Sequence, residues 1–166
     1  MNTLHIVFRV GDSEYALGAD DVLQMESYVG VTHVPGTESH VIGIVQLRGR
    51  VVPVIDLRVR FGAPLTPPTL DTRIVVAEIE DRTVGLRVDC AREVVQLDAS
   101  KLQATPRVLA DRAQGFVKGV AQLGKRLLML LDLGRVVGEE QLHGEQLGWI
   151  DDGGRTGRRA LPGAGS

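Results

Sequence analysis

The sequence predicts an all-β fold in which two related small barrels pack against each other, with a few short helices. The 166 residues are 43% hydrophobic but only 4% aromatic and include 20 glycines, which indicates an aliphatic core and many turns. The apolar segments are short and separated by turn residues, as in small closed barrels. Residues 43–62 also align without a gap on residues 119–138, with Gly, Gln, Leu, Arg, Asp, Leu and Gly in common. Because one unit of roughly 60 to 70 residues has a thin core, we expect the two units to pack together and leave a groove at their contact.

The first half of the chain predicts two strand pairs. We expect a first strand pair at 6–10 and 15–17, followed by a helical turn capped by Asp20 or Asp21. An extended segment at 29–34 leads to a second strand pair at 43–47 and 50–57, and a connector follows at 64–68. The first pair flanks the turn cluster Gly-Asp-Ser-Glu, which is a hairpin pattern. The second pair flanks Arg48–Gly49, and Pro53 within it predicts an edge position or a bulge because proline has no N–H to donate. Three prolines make the connector stiff.

The second half repeats this arrangement. We expect a hairpin from strands 73–79 and 84–88, an extended segment 93–97, a capped turn 98–102, a strand pair 116–123 and 126–132, and a terminal helix 139–149. The hairpin aligns with the first one, so that Leu17 matches Leu86. Alternation along the strands predicts that Val52, Val54, Leu128 and Leu130 are buried equivalents. Residues 151–166 are rich in Gly and Arg without periodicity, which predicts a disordered tail. The domain before it, residues 1–150, is expected to hold both barrel subdomains, with strands interleaved near both termini.

Composition excludes several classes of protein. The net charge of −2 and the scarcity of aromatic residues argue against nucleic-acid binding. A single cysteine, Cys90, rules out an internal disulfide and favours a reducing cytoplasm. The start of the chain lacks the pattern of a signal peptide, and the longest apolar runs, 51–55 and 127–131, are far shorter than the ~20 residues of a spanning helix. We therefore expect a cytoplasmic protein without membrane insertion.

No catalytic, metal or cofactor site is predicted. The glycine spacing of 119–125 matches a phosphate-binding loop, but Arg126 stands where Ser or Thr would hold magnesium, and a strand pattern follows. Asp56 and Asp132 occupy equivalent positions after apolar runs, which predicts helix caps rather than an acid–base pair. The four histidines lack ligand spacing, and Cys90 has no nearby histidine. The sequence gives no support for an enzyme.

The fold does not require an arginine at position 48. The matching turn of the second unit is Gly124–Lys125, so a glycine suffices there. An arginine on a turn between apolar strands can reach the carboxylates or backbone carbonyls of a partner. The alternative is a solvated turn charge.

Residues 43–57 read Gly-Ile-Val-Gln-Leu-Arg-Gly-Arg-Val-Val-Pro-Val-Ile-Asp-Leu, which closely resembles the signature of CheW-type chemotaxis coupling proteins. The resemblance runs from about Ile6 to Gly138. It implies two five-stranded barrels around a shared core, and a cytoplasmic adaptor that links chemoreceptor tips to the regulatory domain of a CheA-type histidine kinase. By position, it implies receptor binding by Gly43, Arg48 and Val94, and kinase binding by Val22 and Gln24.

Two departures from the family pattern leave alternatives open. The family often has Glu at the position of Gln24, and Asn-x-Pro at the position of residues 36–38. The kinase partner therefore stays open, and the output could be something other than flagellar motility. Two further readings are an orphan adaptor that binds receptors without a kinase, and a small-barrel nucleic-acid binder. The second would need a basic groove with exposed aromatic residues, and the sequence is basic only in the tail at 155–159.

Overall fold

The protein is described by a computed structural model that covers residues 2–106 and 115–138. It contains two sheets, named here by the part of the chain that forms them. The terminal sheet consists of β1 (Asn2–Val10), β2 (Ser13–Gly18), β8 (Cys90–Asp98), β9 (Leu102–Gln103), β10 (Val117–Leu123) and β11 (Arg126–Leu131), in the order β8-β1-β2-β11-β10-β9. The central sheet consists of β3 (Val22–Ser27), β4 (Val41–Leu47), β5 (Arg50–Asp56), β6 (Arg73–Ile79) and β7 (Arg82–Val88), in the order β3-β6-β7-β5-β4.

The predicted all-β class and the two β subdomains are confirmed. The central sheet has five strands, and the terminal sheet has a sixth because the two-residue β9 pairs with β10. The helices are short, namely α1 (Leu57–Arg60), α2 (Leu133–Val137) and two 3-10 turns at Ala19–Asp21 and Ala99–Lys101. The predicted terminal helix at 139–149 and the tail at 151–166 lie outside the described residues.

The internal repeat is a repeat of structure. The units β4-β5-α1 and β10-β11-α2 have equivalent hairpins. The second strand of each hairpin also pairs in parallel with a further strand: β5 with β7, and β11 with β2. Both helices are capped as predicted: the N–H of Val59 donates to Asp56 Oδ1 at 3.0 Å, and that of Arg135 donates to Asp132 Oδ1 at 3.3 Å. Thus both aspartates act as caps at equivalent strand ends.

The two sheets exchange strands. The hairpin β1–β2 belongs to the terminal sheet, yet the next strand, β3, pairs with β6 of the central sheet. Likewise the hairpin β6–β7 belongs to the central sheet, and the next strand, β8, pairs with β1. No cut of the chain therefore separates the two units.

Three local predictions differ from the structure. Asp20 and Asp21 lie inside the first 3-10 turn, and Gly18 occupies its N-cap with no side-chain hydrogen bond, so the predicted aspartate cap is wrong. Residues 29–34 form a single bridge, Thr32 to Ile44, instead of a strand. Pro53 lies in β5, an inner strand, and pairs with Ile44 of β4, so the predicted edge position is wrong; the ladder from β5 to β7 begins only at Val54.

The apolar core has three parts. The terminal sheet encloses one cluster, which includes Val7, Leu97 and Leu128, and the central sheet encloses a smaller one around Val54 and Ile74. The third and largest cluster lies between the sheets. It contains residues of both sheets and both helices, including Phe8, Leu17, Ile55, Leu57, Leu86 and Val136. The predicted equivalents Val52, Val54, Leu128 and Leu130 are all buried.

Four aromatic rings run through the core between the sheets. Phe8 and Tyr15 of the terminal sheet have ring centroids 6.3 Å apart, and Tyr15 lies 5.1 Å from Phe61, which directly follows α1. Phe61 in turn lies 5.6 Å from Phe116, the residue before β10. Such tilted and stacked pairs add to the free energy of simple area burial, and here they join the two units.

The two capping aspartates differ in their surroundings. Asp56 is buried, and its Oδ2 lies 3.4 Å from Nε of buried Arg87. Arg87 also donates to the Thr66 carbonyl at 2.6 Å and lies over the Tyr28 ring at 4.7 Å. Burial raises the pKa of Asp56 above its ordinary value. The hydrogen bond from the Val59 N–H and the charge of Arg87 act to lower this pKa, but their effect is smaller. Asp132 is only half buried, so the second unit has a simple cap.

Leu128→Ala is expected to lower the free energy of unfolding by about 2–5 kcal/mol, because Leu128 is fully buried inside the terminal sheet. The neighbouring Leu127 is 62% exposed and supplies a matched control, whose change to alanine should cost less than about 0.5 kcal/mol. Urea unfolding followed by circular dichroism measures both. Similar losses for the two variants would contradict the assigned strand alternation.

Asp56→Ala is expected to destabilise the protein more than Asp132→Ala. Both changes remove a helix cap, at about 0.5–2 kcal/mol. Only the first also leaves the buried guanidinium of Arg87 without its carboxylate, and breaking such a pair costs about 3–5 kcal/mol. Thermal unfolding of the two single variants at neutral pH provides the comparison, and equal losses would show that the Arg87 contact adds nothing.

Candidate partner-binding surfaces

Gly43 is buried beneath a neighbouring segment. It follows a register shift in β4, with φ of +155°, and a Cβ built on it would overlap the carbonyl oxygen of Thr32 and lie 2.9 Å from Cβ of Val31. Thr32 and Ile44 exchange two backbone hydrogen bonds of 2.8 and 2.9 Å at this point. Gly43 therefore allows the chain to cross close over β4, and it offers no side chain to a partner.

Arg48 lies at the tip of the hairpin between β4 and β5. Its φ is +52° and that of Gly49 is +79°, values of a turn that matches the twist of a two-stranded hairpin. The residue is exposed, and within residues 2–106 and 115–138 its guanidinium has no hydrogen-bond or ion-pair partner. The side chain is thus available to another molecule.

Val94 lies on β8, the edge strand of the terminal sheet, and is 58% exposed. It pairs with Ile6 of β1, and Leu4 follows on the same face with 49% exposure. The alternate residues Val95 and Leu97 point into the cluster inside the terminal sheet. Val94 and Leu4 are exposed, and Ile6 between them is half-buried; together they form an apolar strip on the surface, named here the β8 strip.

Val22 and Gln24 lie on β3, at the edge of the central sheet opposite β4. Val22 is partly buried against the core between the sheets, and the Gln24 amide donates to the Glu26 carboxylate. The register shifts between Val22 and Gln24, which leaves Leu23 out of the pairing with β6 and 50% exposed. Leu23 is a candidate contact that sequence reasoning missed, because a bulge depends on the partner strand.

The predicted residues fall into three places on the two sheets. Gly43 and Arg48 share β4 and its turn in the central sheet, and Val94 belongs to the terminal sheet. Val22 and Gln24 share β3, on the other edge of the central sheet from β4. The residues assigned to the receptor are therefore on different strands from those assigned to the kinase, and the receptor set spans both sheets.

A charged network surrounds the middle of β8. Glu14 of β2 accepts from Nε of Arg126 and lies 2.9 Å from Nε of Arg92, and Nη1 of Arg126 lies 2.6 Å from Glu93. The hydrogen bond from Arg126 holds the pKa of Glu14 below its ordinary value. These bonds tie β8 to β2 and β11 next to Val94. No sequence signal predicts them, because Glu14 and Arg126 are 112 residues apart.

The described residues hold no group of three or more His, Cys, Asp or Glu side chains that could bind a metal ion. In the same part of the chain, no helix combines the length and the apolar character needed to cross a membrane. What the surface does offer is an exposed guanidinium on a hairpin turn, the β8 strip and the exposed Leu23 of β3, which are features suited to binding another protein.

The comparisons with known proteins agree with one another. The family model described as the CheW-like domain matches residues 5–141. The chain is 32% identical over 136 residues to the chemotaxis protein CheW of Rhizobium meliloti, across 82% of this chain and 88% of that one. It is 34% identical over 135 residues to the chemotaxis protein CheW of Bacillus subtilis, across 81% and 86%. Among solved structures, the scaffolding protein TtCheW from Thermoanaerobacter tengcongensis matches with a TM-score of 0.76 and 30% identity, across 85% of this chain and 96% of that one.

Proposed function

The chain belongs to the CheW-like family of chemotaxis scaffold proteins, and we propose that it couples chemoreceptor tips to a CheA-type histidine kinase in the cytoplasm, without chemistry of its own. The observation that carries the proposal is Arg48, an exposed and unpartnered arginine on a hairpin whose repeat equivalent, Gly124, needs no charge. We also propose that the adaptor domain spans residues 1–150 and that residues 151–166 form a tail beyond it.

The receptor surface combines Arg48 with the β8 strip. A receptor tip is a helical hairpin, so it presents acidic side chains and backbone carbonyls that a guanidinium binds through several hydrogen bonds. An apolar helix face against Val94 supplies the remaining contact, as in other helix-in-groove complexes. Gly43 supports this surface indirectly, because it lets residues 31–32 cross close over the strand that leads to Arg48.

The kinase surface is β3, with Val22 and Gln24 as its predicted contacts. Leu23 adds an exposed apolar side chain between them, which makes the strand edge better suited to burial against a second β domain. Gln24 is neutral where the family often has a glutamate, and its amide is engaged with Glu26. The contact with the kinase therefore depends more on apolar burial than on charge.

The same substitution favours a second candidate, in which the protein serves a chemosensory system with an output other than flagellar motility. A kinase that pairs with Gln24 need not carry the basic group that a glutamate would attract. Binding to kinase regulatory domains encoded in the same genome, compared between the native protein and Gln24→Glu, distinguishes the systems. Tighter binding of the variant to a flagellar kinase would favour an adaptor tuned away from that kinase.

Arg48→Ala is expected to weaken binding to receptor cytoplasmic fragments by about 1.5–3 kcal/mol, the contribution of a hydrogen bond to a charged group. The fold and the affinity for the kinase should be unchanged, because the exposed guanidinium has no hydrogen-bond or ion-pair partner among the described residues. Lys125→Ala is the matched control, since Lys125 lies on the equivalent exposed turn of the second unit. Titration calorimetry with receptor fragments measures both. An unchanged receptor affinity of the Arg48→Ala variant would show that Arg48 is a solvated charge on a turn with no part in receptor binding.

Leu23→Lys is expected to weaken binding to the kinase regulatory domain at least tenfold, because it introduces a charge into an apolar contact. Val22→Lys should have the same effect, although its partial burial makes unfolding a possible result for that variant, and circular dichroism identifies this outcome. Leu127→Lys, at an exposed leucine of the terminal sheet, is the control and should bind normally. A folded Leu23→Lys variant with native affinity would exclude β3 as the kinase surface.

A further inference from the structure

Asp89 stands where the chain crosses from the central sheet to the terminal sheet, between the end of β7 and the start of β8. Its backbone N–H donates to the Arg9 carbonyl at 2.9 Å, and its Oδ2 accepts from the Gly11 N–H at 2.7 Å. Both of these partners belong to the first hairpin of the terminal sheet. On its other side, Asp89 accepts two hydrogen bonds from Arg58 of α1, at 3.0 Å from Nε and 2.7 Å from Nη2. One carboxylate thus holds parts of both units.

The Asp89–Arg58 pair has the geometry of a strong contact. Two nearly parallel N–H to oxygen bonds make it bidentate, and the side chains are only 19% and 27% exposed, so salt screens it less than a surface pair. Burial alone raises the pKa of Asp89, but the hydrogen bonds from Arg58 and Gly11 outweigh it and lower the pKa below the ordinary value. The carboxylate therefore stays ionised at neutral pH.

The pair joins the two chain segments that carry the receptor residues. Arg58 lies in α1, which directly continues β5 from the Arg48 hairpin. Asp89 directly precedes β8, the strand that carries Val94. The repeat has no second copy of this link, because the position equivalent to Arg58 is Gly134. The link therefore lies on one side of the molecule only.

We propose that the Asp89–Arg58 ion pair is a positioning device, which fixes the Val94 strand relative to the Arg48 hairpin so that one receptor tip contacts both at once. The inference rests on the proposed receptor function. Neither residue touches the receptor. The pair restricts the movement of β8 relative to the Arg48 hairpin in the free protein, so that receptor binding does not have to pay the conformational entropy of that restriction. The two residues form a single unit, so that losing either one or both has the same effect on receptor binding.

Arg60 provides the matched control. It lies two residues from Arg58 on the same helix and also reaches the other unit, donating to the carbonyls of Val136 at 2.8 Å and Arg135 at 3.2 Å. Its partners are near α2, and none of these bonds involves β8. Arg60→Gln therefore weakens a contact between the units without releasing the strand that carries Val94.

The first measurement needs no receptor. Spin labels at positions 50 and 96, both exposed, report the distance between the Arg48 hairpin and β8 in a Cys90→Ser background. We expect a broader distance distribution in Asp89→Asn and Arg58→Gln, and a native distribution in Arg60→Gln. Arg58→Gln serves if Asp89→Asn fails to fold, because it leaves Asp89 bonded to Gly11. Unchanged distributions in the folded variants, or equal broadening in Arg60→Gln, would overturn the proposal.

The second measurement is affinity for receptor fragments, in the full chain with native Cys90. Each single variant should lose about tenfold, and the double variant no more than that, since coupled residues are not additive. Kinase affinity should stay native. Additive losses, or native receptor affinity in a variant whose distances have broadened, would overturn the positioning role. If the native chain binds no receptor while the distances respond as expected, the receptor function fails and the positioning of β8 is still supported.

Discussion

The structure depends on the burial of one apolar core between two sheets that are each too small to be stable alone. Each sheet covers a small cluster with one face and must cover the other face with its neighbour. The exchange of β3 and β8 meets this need, because each hairpin is followed by a strand of the opposite sheet. The aromatic contacts from Phe8 to Phe116 follow from the same constraint, since they fill the space between the units.

The two units have kept their interior and changed their surfaces. Val52 and Leu128 are both buried, and both helices begin with a capping aspartate, because these positions hold the fold together. Differences occur where the fold sets no requirement, such as Arg48 against Gly124. Arg58 against Gly134 is a further case, in which the charge links the units on one side only. Comparison within one chain therefore separates the residues that both units need for packing from those that only one unit uses, for binding or for a link between the units.

A scaffold protein functions through the relative placement of its surfaces. Several charged groups of the described residues hold strands in place: Glu14 and Arg126 anchor the middle of β8, and Asp89 anchors its start. Such partly buried ion pairs fix the relative positions of the strands more than they add to the net free energy of folding, because desolvation offsets much of their attraction. Arg48 is different, since its guanidinium has no hydrogen-bond or ion-pair partner in the described part of the chain and the equivalent position of the second unit is a glycine.

The sequence by itself determined the features that depend on local pattern and on the repeat. Alternation identified the buried leucines of β11, and the equivalent aspartates predicted both helix caps. Only the tertiary structure decided which strands the two sheets exchange, the bulge at Leu23 and the ion pairs of Asp89 and Glu14. These features join residues that are far apart in the chain, and a bulge or a bidentate pair is selected by the partner strand rather than by its own neighbours. A single strand therefore carries no pattern from which they could be predicted.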